Sequence, residues 1–482
     1  MVNTINPYQP SDSKPWNAQR VQHLYNRFGF GADWATLQAA LSQSPIDVVN
    51  QLIDSALALS APEVPYWALW TYDDYPDEET YFQEKSLFFQ RWVSEMAVEG
   101  PRSKMALFWH NHFVTREEDY DCNAYMWSYY ALLHQYAFGN FRTFVEEMGL
   151  NPAMLIFLNG NFNIASEPNE NYARELLELF TMGESNGYSQ NDIVEVARAL
   201  TGWQINMYAC ETAPFFNPNL HDQTSKTIFG QTGNWNYQDV HELIFTLRSD
   251  QVATFICEKL YRFFVYEKVD PIIVESLATT FKNNNWEIAP VLRQLLSSEH
   301  FFEERFINAR IKSPLEAGVS VIKLTGGALE SNYNQDLIGY LTFIASSLGQ
   351  EVFNPIDVAG WQEHQTWLSE NTLTGRWSFC TNILYSMYGF SGDMRSKLHA
   401  LTRNLVGPTE ADVRVVTEAL VQYFLNTPLD EPLFEVALLY FKGEVPENYF
   451  EDGTWSVNYN QVPEQTLNLF IYLMRLPEWQ LC

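Results

Sequence analysis

The feature that most constrains the fold is a hydrophobic repeat of helical period that recurs along the chain, with long strand-like alternation scarce. Its clearest instance is YSQNDIVEVARALTGW, residues 188–203. Ser189 and Asp192 have capping-box spacing, with Asp in place of the usual Glu or Gln. Ile193, Val196, Ala197 and Leu200 then share one helical face, and Gly202 stops the run. The same periodicity predicts helices over 48–59, 80–98, 141–148, 172–181, 239–248, 252–264, 272–284 and 288–297. Alternating segments such as 226–230 suffice for a hairpin at most. The expected fold is therefore all-α: a large multi-helix array with small hairpins at most. Long loops at 159–170, 208–238 and 352–375 connect it, and loops of that length are usually functional.

At 482 residues the chain exceeds a typical domain. A compositional break near 326–334 suggests an N-terminal extension, 1–17, a main helical domain, 18–326, and a C-terminal helical region, 327–482, packed on it. Lys and Arg number 29 against 59 Asp and Glu, a net charge of -30. Such a surface repels phosphates, so nucleic acid is excluded as a partner and an anionic membrane face is disfavoured. No apolar stretch is long enough for membrane insertion, and the N-terminal residues do not read as a secretory signal. The five cysteines contain no C-x-x-C pair, so zinc-ribbon and thioredoxin-like readings fail. Cys257 lies in an apolar helical context. Cys122 and Cys210 each follow a motif-bearing segment, and spacing does not decide whether they pair.

Three segments carry candidate chemistry. In KMALFWHNHFVT, His110 and His112 flank Asn111 beside Trp109. On a helix two such positions diverge and cannot chelate one ion, whereas at a helix break they share a side. Metal ligands and a hydrogen-bonded structural pair are both open readings. In PNENYARELLELFTMG, a helix opening at Pro168 or Asn169 puts Asn171, Glu175 and Glu178 on one face and Tyr172 on the next. Arg174 comes within reach of Glu170 and Glu178. That inventory suits carboxylate ligation or acid–base work with a guanidinium clamp, and also a solvated, salt-bridged helix. In the third, Glu195 and Arg198 lie on the polar side of a helix, and His221, Asp222 and Lys226 follow in a loop. There a ligand or base pair competes with a loop anchor. Nucleophile-elbow, P-loop and H-E-x-x-H motifs are absent.

Together HLYNRFGFG, KMALFWHNHF, PNENYARELLELFTMG, DIVEVARALTGW, the HD…KTIFGQTGN block, IKSP and LGQEVFNPIDVAGW resemble the bacterial family catalogued as domain of unknown function 1800, over essentially the whole chain. Asn171, Tyr172, Arg174 and Glu175 match its motif. Relatives vary at the positions of Glu178 and Phe180, which demotes both. Where the family has a Gly-Gly pair after Gly-Trp, this chain has Gln362-Glu363-His364. The resemblance implies frequent export and genes beside sulfatase-like proteins, an association that hints at a sulfatase-like partner and extracytoplasmic polymer processing.

The leading expectation is a metal-assisted hydrolase acting on an extracellular polymer or glycan. His110, His112, His221 and Asp222 would hold a divalent ion. Glu175, Arg174, Asn171, Tyr172 and Arg198 are the candidate catalytic residues, and Trp109, Trp203, Lys226 and Trp361 the candidate substrate contacts. One rival is a non-catalytic scaffold or binding protein whose polar motifs form a buried network. A redox or haem-type protein is the other. Whether the candidate ligands converge in space discriminates among them.

Overall fold

A computed structural model describes residues 5–327, 333–362, 364–390 and 393–482. Among them are 23 α-helices and two antiparallel two-stranded sheets, so the chain is all-α as its periodicity predicts. Helix starts follow local chemistry. Ser44, Asp77, Asn140 and Asp270 each accept a backbone N–H in the first turn of their helices. The Gln190–Ala199 helix begins with the capping box read from Ser189 and Asp192. No described helix is long and apolar enough to cross a membrane.

Two helices without an amphipathic signature form the centre. The Pro101–His112 and Asn123–Gln135 helices are buried on nearly every side, the first with its polar side chains Arg102, Lys104, His110 and His112 buried among its apolar ones. Trp109 is fully buried, stacks on Phe113 and Phe141, and donates through Nε1 to the Ala137 carbonyl at 3.1 Å. It is a core residue, so the stacking contact to substrate expected of it has no accessible face in this structure.

C-terminal elements close on this centre. The Pro314–Leu324 and Tyr333–Ser347 helices pack against the Glu78–Glu99 helix. Within the Pro314–Leu324 helix, Glu316 is buried and ion-paired with both Lys104 and Arg310, and it accepts the Ser313 N–H at 2.7 Å. Burial alone would raise its carboxyl, yet the two cations hold it well below the usual range. One apolar cluster runs from Tyr8 to Trp479.

The small sheets sit between residues 203 and 233, one of them at the hairpin that the alternation at 226–230 allows. Trp203–Gln204 pairs with Phe215–Phe216, and Lys226–Ile228 pairs with Gln231–Gly233 through a turn with positive φ at Phe229 and Gly230. Cys122 and Cys210 form a disulfide that ties the start of the Asn123–Gln135 helix to this region.

One helical prediction needs correction. The run 172–181 is not one α-helix: Asn171–Glu175 is α-helical, and Leu176–Thr181 widens into a π-helix. Thr181 donates through Oγ1 to the Leu176 carbonyl, and Met182 bonds Leu177 across the wider turn. The widening turns the Leu179 and Phe180 carbonyls to side chains from elsewhere.

Candidate functional site

The His-x-His pair lies within a helix, and its members point to different neighbours. His110 accepts the Phe353 N–H at Nε2, 3.0 Å, which fixes the proton on Nδ1. Nδ1 then donates to Tyr129 Oη at 2.7 Å, and Tyr129 donates to the Phe113 carbonyl at 2.8 Å. Burial pushes the imidazole down to about 3, so His110 is neutral at physiological pH. His112 faces Phe180 instead. Its Nε2 donates to the Phe180 carbonyl at 3.0 Å, and its Nδ1 accepts from Lys259 Nζ at 3.1 Å. Burial first, and then the Lys259 charge, hold it well below its ordinary value.

Asn111, between them, accepts the Trp361 N–H at Oδ1, 2.6 Å, and its Nδ2 faces the Trp361 carbonyl at 3.4 Å. Gly360 adopts φ +87°, and a Cβ there would overlap Asn111 Oδ1. The Trp361 ring meets His110 edge-on at 5.1 Å. Trp361 is buried by this junction, so its expected substrate contact is likewise unsupported by exposure. Three consecutive side chains thus bind three backbone segments: 353, 361 and the π-turn. This junction, rather than a ligand shell, joins the two segments that looked most functional in the sequence.

A second left-handed position follows shortly after Gly360. His364 takes φ +62°, a left-handed conformation that glycine favours. Glu363 lies outside the described residues.

Around the π-turn, Asn171 is exposed, while Tyr172 is buried, its hydroxyl joined to that of Tyr237, which donates to the Glu146 carbonyl at 2.6 Å. Gly149 lies under both rings, and a Cβ there would overlap both hydroxyls. Arg174 pairs with Glu170 at 2.8 Å and reaches Gln190 at 3.2 Å; the expected contact to Glu178 is not made. Glu175 is half-buried, and burial together with the Glu178 charge raises its carboxyl against the pull of Arg174.

The third segment is a loop anchor. Arg198 bonds Asp222 and Glu195, both at 2.7 Å, and also meets Thr224. Burial would raise the Asp222 carboxyl, but hydrogen bonds from Thr224 and Arg198 bring it down to about 2. Glu195 accepts the Thr227 N–H and Asp192 the Phe229 N–H, so the Gln190–Ala199 helix grips the hairpin through its carboxylates. His221 Nδ1 donates to the Thr201 carbonyl at 2.9 Å. Lys226 is buried, its ammonium on the carbonyls of Asp222 and Thr224, and Trp203 packs against Phe216 and Tyr237. Lys226 therefore presents no free cation to a substrate.

The expected ligand set does not assemble. His110 and His112 spend both ring nitrogens on protein partners, and Asp222 is engaged by Arg198 and Thr224. Among the described residues no group of three or more His, Cys, Asp or Glu is placed to hold a metal ion. Sequence reasoning missed Asn111, Gly360 and Lys259 as parts of the junction. The signal for the first two was the pairing of a motif-internal Asn with a distant Gly-Trp.

The motifs that build this junction are spread along the whole chain, and so is the match to a family model. The model described as "Protein of unknown function (DUF1800)" matches residues 23–481. The chain belongs to this family. No curated protein and no solved structure matches it. In this DUF1800 chain, His110, Asn111 and His112 join Phe353, Trp361 and Phe180.

Proposed function

We propose that this DUF1800 protein is a non-catalytic binding or scaffold protein, and that its conspicuous motifs form a structural network that fixes its loops. The observation that supports this most is the commitment of His110, Asn111 and His112 to the backbone of three other segments. Buried polar networks with satisfied members fix one arrangement of the chain, and partial disruption leaves costly unpaired groups. The Cys122–Cys210 disulfide supports work in an oxidising compartment outside the cytoplasm, since such bonds are rare in reducing ones. Elemental analysis of the purified protein tests the reading. It expects no stoichiometric metal, and a stoichiometric ion whose removal unfolds the protein or ends an activity would overturn it.

One residue favours a second reading. Glu175 is a half-buried carboxyl with a raised proton affinity beside a π-turn, a distortion frequent at functional sites. A hydrolase acting on an extracellular polymer would use it as a general acid, with Arg174 on an anionic group of the substrate. Hydrolysis of a polysaccharide panel by the wild type, lost in Glu175→Gln at unchanged thermal stability, would establish this reading over the first.

A further inference from the structure

A cavity of about 710 Å³, open to solvent, lies on the disulfide-bearing side between the Asn123–Gln135 and Phe141–Gly149 helices, the strap at 68–69 and the loop that follows Cys210. That volume falls within the range of small-molecule sites. We propose that it binds an uncharged oligosaccharide, an inference that rests on the binding-protein reading and names its ligand class.

The lining has two faces. Trp127 is part-exposed, and Leu69, 78% exposed, stands on the rim with Pro152 nearby. An indole and aliphatic groups beside it suit the C–H faces of a pyranose ring. Gln135, Glu146 and Glu147 supply amide and carboxylate oxygens for hydroxyl donors, and Glu147 is oriented by the Tyr136 hydroxyl at 2.7 Å. The lining contains two glutamates and neither lysine nor arginine, in a protein of net charge -30. Phosphorylated, sulfated or uronic ligands are therefore repelled, and a neutral polyhydroxylated one is not.

A second hollow lies across the strap, with Tyr66, Trp67, Glu84 and Arg91 among its walls. The Trp127 ring touches Phe88 and faces the Arg91 guanidinium, both of which line that hollow. Trp127 thus lines the first depression and packs on two residues of the second, which suits a ligand of several rings. Thr212 and Pro214 close the larger one, and the disulfide holds their loop only two residues upstream.

Isothermal titration of the intact protein with cellohexaose, maltohexaose, xylohexaose and N-acetylchitohexaose tests the proposal, with a sulfated oligosaccharide and oligolysine as charged probes. Saturable binding of at least one neutral probe is expected, weakened about tenfold or more in Trp127→Ala. Leu69→Asp, on an exposed rim residue that folding does not need, should weaken it too. Absence of saturable binding by all four neutral probes, binding of oligolysine alone, or affinity unchanged in both variants would overturn it. Product analysis of the titrated probes separates the two claims. Bound, intact probe supports both, whereas cleaved probe keeps the ligand class and overturns the non-catalytic reading.

Discussion

The backbone of Gly360 lies so close against the side-chain amide of Asn111 that a Cβ there would overlap Oδ1, while the next N–H donates to that same oxygen at 2.6 Å. Gly360→Ala must therefore displace the amide and strain a φ of +87° at once. A loss of about 2–4 kcal/mol is expected from those two costs, read by urea unfolding. Asn111→Ala should remove the Trp361 N–H acceptor and cost about 1–3 kcal/mol.

Acid should destabilise the protein through its buried histidines. His23, His110, His112, His134 and His241 are all buried and held below their ordinary value, chiefly by burial. Below the unfolded value near 6.5 the unfolded chain takes up protons that the folded state refuses, so stability falls as pH drops. For His110 the loss runs from about 6.5 down to the folded value of about 3. Each such group contributes up to about 1.4 kcal/mol per pH unit in that window. Urea midpoints measured between neutral pH and mild acid should fall steadily, with a shallower fall in His110→Gln, which no longer titrates.

Glu175 titrates in the opposite sense. Its folded-state carboxyl is raised, so ionisation above the ordinary carboxylate range costs stability. Glu175→Gln should leave the melting temperature at neutral pH equal or higher, and the difference should vanish once acid protonates the wild-type carboxyl. A clear drop at neutral pH would show that the ionised carboxylate is needed by the fold.

The disulfide predicts a thiol count. Of five cysteines, Cys257, Cys380 and Cys482 are free and buried. Unfolded protein prepared without reductant should titrate three thiols, and all five after reduction. Replacing Cys122 and Cys210 by serine should cost about 2–5 kcal/mol, because the bond closes a long loop of the unfolded chain.

These outcomes bear on how much the residues alone convey. Amphipathic helices such as Gln190–Ala199 were legible because period and cap agree. Helices such as Pro101–His112 are buried all round with polar and apolar residues mixed, so they give no apolar stripe. The π-turn at Leu176–Thr181 was not legible, because its apolar run has the same period as an α-helix. What the candidate residues touch was not legible. His-x-His spacing does not distinguish a metal site from two hydrogen bonds to backbone, since the deciding atoms, the Phe353 N–H and the Phe180 carbonyl, are far away in the chain. Likewise Arg198 and Asp222 looked like a clamp and a base, and proximity shows them gripping one another.

The His110–Asn111–His112 triplet holds three distant backbone segments together. Thermal unfolding of the purified protein before and after exhaustive chelation, with His112→Ala beside it, tests this most directly. Chelation should leave the melting temperature unchanged, and His112→Ala should lower it by several degrees through the unpaired Phe180 carbonyl. A chelated wild type that melts as low as the variant, restored by adding back a divalent ion, would contradict it.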